Sequence, residues 1–194
     1  VRFKGVADFD EATFGDDVTF EGSTFEQGGS FKGIEFRGGA AILDDDISFA
    51  DVVFNEDVIF EHGLFGFANF QRVQCNGDAM FERSTFTDDC SFENTTFEGT
   101  ADFDEVLFEG DADFTAAVFI SDTVFRGVEF RGGTNYLDDD VIFEDAVFAG
   151  DADFHDVVFS SANFLNTKFE GHANFTDATF NEELHLNAVS FGDD

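Results

Sequence analysis

Proline is absent from this 194-residue chain, so every residue after the first has a backbone N–H to donate to a hydrogen-bonded ladder. Tryptophan is also absent and tyrosine occurs once, whereas phenylalanine occurs 32 times. Such reliance on one aromatic points to one structural position used over and over. Basic residues are few: 9 Lys plus Arg stand against 43 Asp plus Glu, for a formal net charge of −34. That balance excludes the basic patch needed to bind nucleic acid or an anionic membrane directly. No apolar run approaches the roughly 18 residues that cross a bilayer, and no signal peptide is visible. This favours the cytoplasm slightly while leaving the compartment open. The chain starts at Val1 and stops in the repeat-like Phe191-Gly192-Asp193-Asp194, which reads as a segment of a longer protein. Cysteine is scarce: Cys75 and Cys90 form no zinc or redox spacing and read as buried structural thiols.

What is present is a repeat. Phe recurs at 3, 9, 14, 20, 25, 31 and 36, in steps alternating between six and five. The series continues to Phe191 through 35 centres, 31 of them Phe, with Leu43, Cys75, Leu137 and Leu186 as the others. Only Phe67 is out of register. Two residues before each centre stands a small residue, Ala or Val in 23 of 35 places, as at Ala7, Val18, Ala112 and Val157. Gly often falls two after it, as at Gly22, Gly99, Gly127 and Gly150.

A helix does not fit this pattern. At about 100° per residue, steps of five and six scatter successive Phe around the axis, and Gly, Thr and Asp are poor in helix interiors. A strand does fit, because residues i−2 and i share one face. Small residue and Phe both point inward, and Gly supplies a corner where φ is free to be positive. A chain turning the same way every five or six residues winds into a solenoid whose coils pair at about 4.8 Å.

Segments such as Ala101-Asp102-Phe103-Asp104-Glu105, Ala112-Asp113-Phe114-Thr115-Ala116 and Ala173-Asn174-Phe175-Thr176-Asp177 resemble the A-(D/N)-(L/F)-x-x motif of the pentapeptide-repeat family. The resemblance covers essentially the whole chain, and implies an all-β, right-handed, four-sided β-helix. The extra residue in the six-residue steps departs from the family's spacing and is placed at a corner. Four sides are preferred to a flatter two-sided coil, because a square core packs Phe columns to normal density. Four repeats per coil give about nine coils, and hence a rod roughly 42 Å long.

A shift of 94 residues maps every centre onto another, Phe3 to Phe97 and Leu43 to Leu137, so residues 1–194 read as one domain made of two related halves. Both halves carry a seven-residue step, Phe36 to Leu43 and Phe130 to Leu137. Lying 17 repeats apart, these steps are expected on adjacent faces rather than on one. Each leads into an aspartate triple, Asp44-Asp45-Asp46 and Asp138-Asp139-Asp140. Calcium binding is the functional reading, but three consecutive Asp point in different directions and lack a calcium-loop spacing. A solvated acidic corner is the reading adopted.

His62, His155, His172 and His185 fall at outward or loop positions with no recurring partner. No nucleophile motif, phosphate loop or zinc spacing occurs, and a filled solenoid leaves no pocket. The expectation is therefore no catalytic, cofactor or metal residue, and no enzyme. The rod is expected to serve as a structural or protein-interaction module, with a protein partner or self-association at a coil end. Two alternatives stay open. One is a cation-binding surface protein. The other follows from the resemblance: some quinolone-resistance members of the family mimic duplex DNA for DNA gyrase, and the net charge per length here is at least that of DNA. The acidity itself resembles salt adaptation, as in a halophile's protein.

Overall fold

The computed structural model describes residues 1–36, 47–132 and 140–192. Their 33 two-residue strands form four parallel sheets, of nine, eight, eight and eight strands. The sheets are the sides of a square, right-handed β-helix. The first side runs from Arg2–Phe3 to Ser190–Phe191, and the second from Ala7–Asp8 to Ala173–Asn174. The third runs from Thr13–Phe14 to Thr179–Phe180, and the fourth from Val18–Thr19 to Leu184–His185. That makes slightly more than eight coils and a rod of about 40 Å, a little short of the nine coils expected.

Corner chemistry explains the spacing. Steps off the second and fourth sides take five residues. There the carbonyl of the central Phe accepts the N–H three residues on, as in Ala12 N to Phe9 O at 3.1 Å and Val106 N to Phe103 O at 3.2 Å. The third turn residue is left-handed in all 16 such turns: 13 are not glycine, among them Glu105 at φ 55°, Ala116 at 55° and Asp156 at 59°. The expectation that Gly makes these corners holds only at Gly22, Gly33 and Gly127. The left-handed cost, about 1 kcal/mol or more per residue, is met because the same residue's N–H bonds the next coil, as Glu105 N does to Arg126 O at 2.9 Å.

The Asp or Asn before the Phe primes the turn. Asp102 Oδ1 accepts the N–H of Asp104 at 2.9 Å, Asp113 Oδ1 that of Thr115 at 2.8 Å, and Asn174 Oδ1 that of Thr176 at 3.0 Å. This is the Asx turn, and it accounts for the polar letter of the motif.

Every step off the first side, and most steps off the third, takes six residues. The sixth residue sits at the corner, as anticipated, and is often Asp. Its carboxylate accepts the backbone N–H of the equivalent residue one coil on. Examples are Asp57 to Asp78 N at 2.9 Å, Asp78 to Thr100 N at 2.8 Å, and Asp89 to Asp111 N at 2.9 Å. Backbones crowd here: a Cβ on Gly99 would lie 2.5 Å from the Gly77 carbonyl.

The interior is one column of aromatic rings per side. Phe103 stacks on Phe81 at 4.8 Å and on Phe125 at 4.9 Å, with planes within 3°, and meets Phe92 edge-on at 5.6 Å. Residues at i−2 fill the space between columns. Where these are hydroxyls they are buried but satisfied by main chain, as in Ser84 Oγ to Phe60 O at 2.6 Å and Thr167 Oγ1 to Phe143 O at 2.7 Å. Cys75 and Cys90 occupy inward positions and are buried, and desolvation pushes the Cys75 thiol up to about 12.

One expectation is overturned. Thr13 pairs with Glu35, 22 residues on, but Glu35 pairs with Leu64, 29 on. In the second half Leu107 pairs with Glu129, 22 on, and Glu129 with Val158, 29 on. The strand after Glu35–Phe36 is Ile47–Ser48, already on the next side, so the Leu43 repeat adds no side to the coil, and neither does Leu137. Both lie outside the described residues. Equivalent residues 94 apart are therefore separated by 16 strands, which is four whole coils. The two seven-residue insertions leave from the same corner, between third and fourth sides, about 19 Å apart along the axis. Adjacent faces had been expected, because counting the two Leu as centres added one side.

Candidate functional site

With rings filling the interior, any chemistry falls to the outer surface. Asp44, Asp45, Asp46, Asp138 and Asp139 lie outside the described residues. Asp140 is described and is not a solvated corner. It is 8% exposed; its Oδ2 accepts the Ser161 N–H at 2.6 Å and the Ser161 hydroxyl at 2.8 Å. The Ser161 hydroxyl in turn accepts the Asp140 N–H at 2.8 Å. Gly132, at φ 68°, lies so close that a Cβ there would overlap the Asp140 carboxylate. This closed loop of bonds ties the end of the second insertion to the next coil. Asp140→Ala leaves two buried Ser161 donors without an acceptor and is expected to cost about 1–3 kcal/mol. Asp140→Asn, which keeps one acceptor, should cost less. Urea denaturation of the two variants beside the parent measures both.

His62 and His172 are exposed, and His185 lies 3.4 Å from Glu183. His155 departs from expectation. Its Nδ1 is 3.0 Å from the Thr176 carbonyl oxygen, and its Nε2 is 3.1 Å from Asp156 Oδ2. With Asp177 these residues form a group whose ligand atoms all lie within 4.8 Å of one another. The sequence hides this group because His155 and Asp177 are 22 residues apart. That distance is one coil, and the period becomes readable only once four sides are known.

Acids stand on the corners of all four sides. The outward column of the first side holds none: it reads Arg2, Thr24, Val53, Gln74, Thr96, Val118, Val147, Lys168 and Ser190. Bases and acids pair along the corner after the second side, Lys32 with Glu61 at 2.6 Å, Arg83 with Glu105 at 2.7 Å and Arg126 with Asp104 at 2.7 Å. Elsewhere Arg72 makes a two-pronged pair with Asp51, at 2.7 and 2.9 Å, and that hydrogen bond holds the Asp51 carboxyl below its ordinary value. These pairs are exposed and individually weak.

The family profile described as pentapeptide repeats (9 copies) matches residues 1–42, 66–107, 92–138 and 143–190, well over half of the chain. The chain is a pentapeptide-repeat protein. Among solved structures, this pentapeptide-repeat chain is similar to trypsin-treated QnrB1, a plasmid-mediated fluoroquinolone resistance protein. The identity is 16%, 96% of this chain and 90% of that one are covered, and the TM-score is 0.42. It is also similar to HetL, a pentapeptide repeat protein involved in heterocyst differentiation regulation from the cyanobacterium Nostoc. There the identity is 12%, coverage is 92% and 91%, and the TM-score is 0.22. No curated protein matches. The pentapeptide repeat thus assigns the architecture and leaves the role to the chain's own surface.

Proposed function

We propose that this chain is a non-enzymatic, rigid, acidic interaction module that associates through the end of its solenoid. The observation that carries the reading is the contrast between middle and end. Central Phe are sealed in by rings above and below, whereas in the last described coil Leu184, Leu186 and Phe191 are 37%, 54% and 61% exposed. An aromatic step with an open parallel strand edge suits the stacking of a further coil-like surface.

Sedimentation velocity of the 194-residue chain in molar KCl tests this. Association that rises with concentration and is lost in Phe191→Asp is the expected result. A parent chain monomeric at every concentration would remove end-on association from the reading.

The net charge serves the solvent in this proposal, as an adaptation to salt. Duplex mimicry needs a continuous acidic face, and acids spread over four corners, with an acid-free column on the first side, do not supply one.

A further inference from the structure

We propose that His155, Asp156 and Asp177 form a surface site for one divalent cation of the zinc class. The fold builds the site from two adjacent coils. In-register pairing of Ala152 with Ala173 and Asp153 with Asn174 stacks the two corners, so Asp156 lies directly beneath Asp177, both left-handed at φ 59° and 57°. The stacked Phe154 and Phe175 rings, 4.8 Å apart, anchor that spacing from within. The Asp153 carboxylate fixes the start of the turn by accepting the His155 N–H at 3.1 Å.

The imidazole is oriented by a group that only accepts. The Thr176 carbonyl lies 3.0 Å from Nδ1, so Nδ1 carries a hydrogen and donates it. In the neutral ring Nε2 then presents a lone pair, and it faces Asp156 Oδ2 at 3.1 Å. Two acceptors at that distance repel unless a positive centre lies between them, either a proton on Nε2 or a metal cation. A ligating His commonly holds its other N–H on a carbonyl, which fixes the tautomer and sharpens the remaining lone pair. The neighbouring guanidinium does not fill this role, because Arg126 is turned to the coil before, with Nη2 2.7 Å from Asp104 Oδ2.

Geometry selects the metal. Zinc bonds of about 2.0–2.1 Å in a tetrahedron set ligand atoms roughly 3.3 Å apart. The observed 3.1 Å between Nε2 and Oδ2 is close to that edge. The remaining separations, up to 4.8 Å, close by rotation of the exposed Asp177 carboxylate. Three protein ligands leave a fourth position to water. An imidazole with two carboxylates suits zinc, cobalt or nickel, whereas calcium asks for six to eight oxygens. A bound ion would clasp two coils from outside.

Titration of the full chain with zinc chloride in molar KCl, followed by calorimetry, tests the site. One zinc ion per chain is expected, with affinity reduced at least about tenfold in both His155→Ala and Asp177→Asn. The circular dichroism of both variants should be unchanged. Calcium chloride at equal concentration should leave the zinc isotherm in place. In nitrogen-15 spectra, zinc should move the His155 Nε2 resonance while Nδ1 keeps its proton. Equal affinity in the variants, binding through His62, His172 or His185 instead, or no saturable heat would each overturn the proposal.

Discussion

Phe103→Ala is expected to lower the unfolding free energy by about 3–5 kcal/mol, the largest single-residue effect in the molecule. The ring is fully buried and touches partners in three directions. It stacks between Phe81 and Phe125, and meets Phe92, Phe97 and Phe114 edge-on at 5.6, 6.0 and 5.7 Å. Truncation opens a cavity within columns that cannot collapse, because coil spacing is fixed by the four backbone ladders. Stacking and edge contacts are lost along with the buried area. Phe191→Ala, at a position 61% exposed, should cost less than about 1 kcal/mol. A solenoid is stabilised by neighbour-to-neighbour terms, so the penalty should fall steadily from mid-rod to end. Guanidinium denaturation of Phe103→Ala, Phe159→Ala and Phe191→Ala measures that gradient. Equal losses at the three positions would mean that the columns do not act as a stack.

Much of this fold is written in the chain, though at uneven depth. The small residue at 101 and the Phe at 103 share an inward face whatever the number of sides, so the strands and the core followed from spacing alone. Four sides came from the resemblance, since five-residue steps do not by themselves fix a cross-section. The Asp before each Phe gave no hint of its role: one carboxylate on a surface of 43 acids looks like charge, whereas Asp102 and Asp113 are turn-formers. Leu43 and Leu137 misled because an apolar residue at nearly the right distance counts as inward. Only the pairing of Val18 with Ile47, 29 residues on, takes them out of the coil. Asp140 was read with its acidic neighbours, but its partner is Ser161, 21 residues away. The His155 group was missed for the same reason. Contacts between coils are periodic in a length that the one-dimensional pattern does not announce.

Stability should rise steeply with salt, from a partly or wholly unfolded chain in dilute buffer to a cooperatively melting β-helix in molar KCl. The 9 basic residues are largely engaged in exposed pairs of small value, and a formal net charge of −34 remains on a rod of about 40 Å. Corner carboxylates recur at the coil spacing. Two unit charges about 4.8 Å apart repel by about 0.9 kcal/mol in water, and dozens of such neighbours sum to an amount comparable with the whole stability of a domain. Unfolding relieves that repulsion by spreading the chain. Salt relieves it in place: the screening length falls from about 10 Å at 0.1 M to about 3 Å at 1 M, below the coil spacing. Far-UV circular dichroism with thermal melting across a KCl series reads this directly. Replacing Glu56, Glu98 and Glu170, all exposed along the first side, with Gln should flatten the dependence while leaving the high-salt melting point nearly unchanged. A rod equally stable in dilute and molar KCl would show that the acids are not a burden the solvent must carry. Their density would then call for a cationic partner, and a charge-seeking enzyme of DNA would become the first one to test.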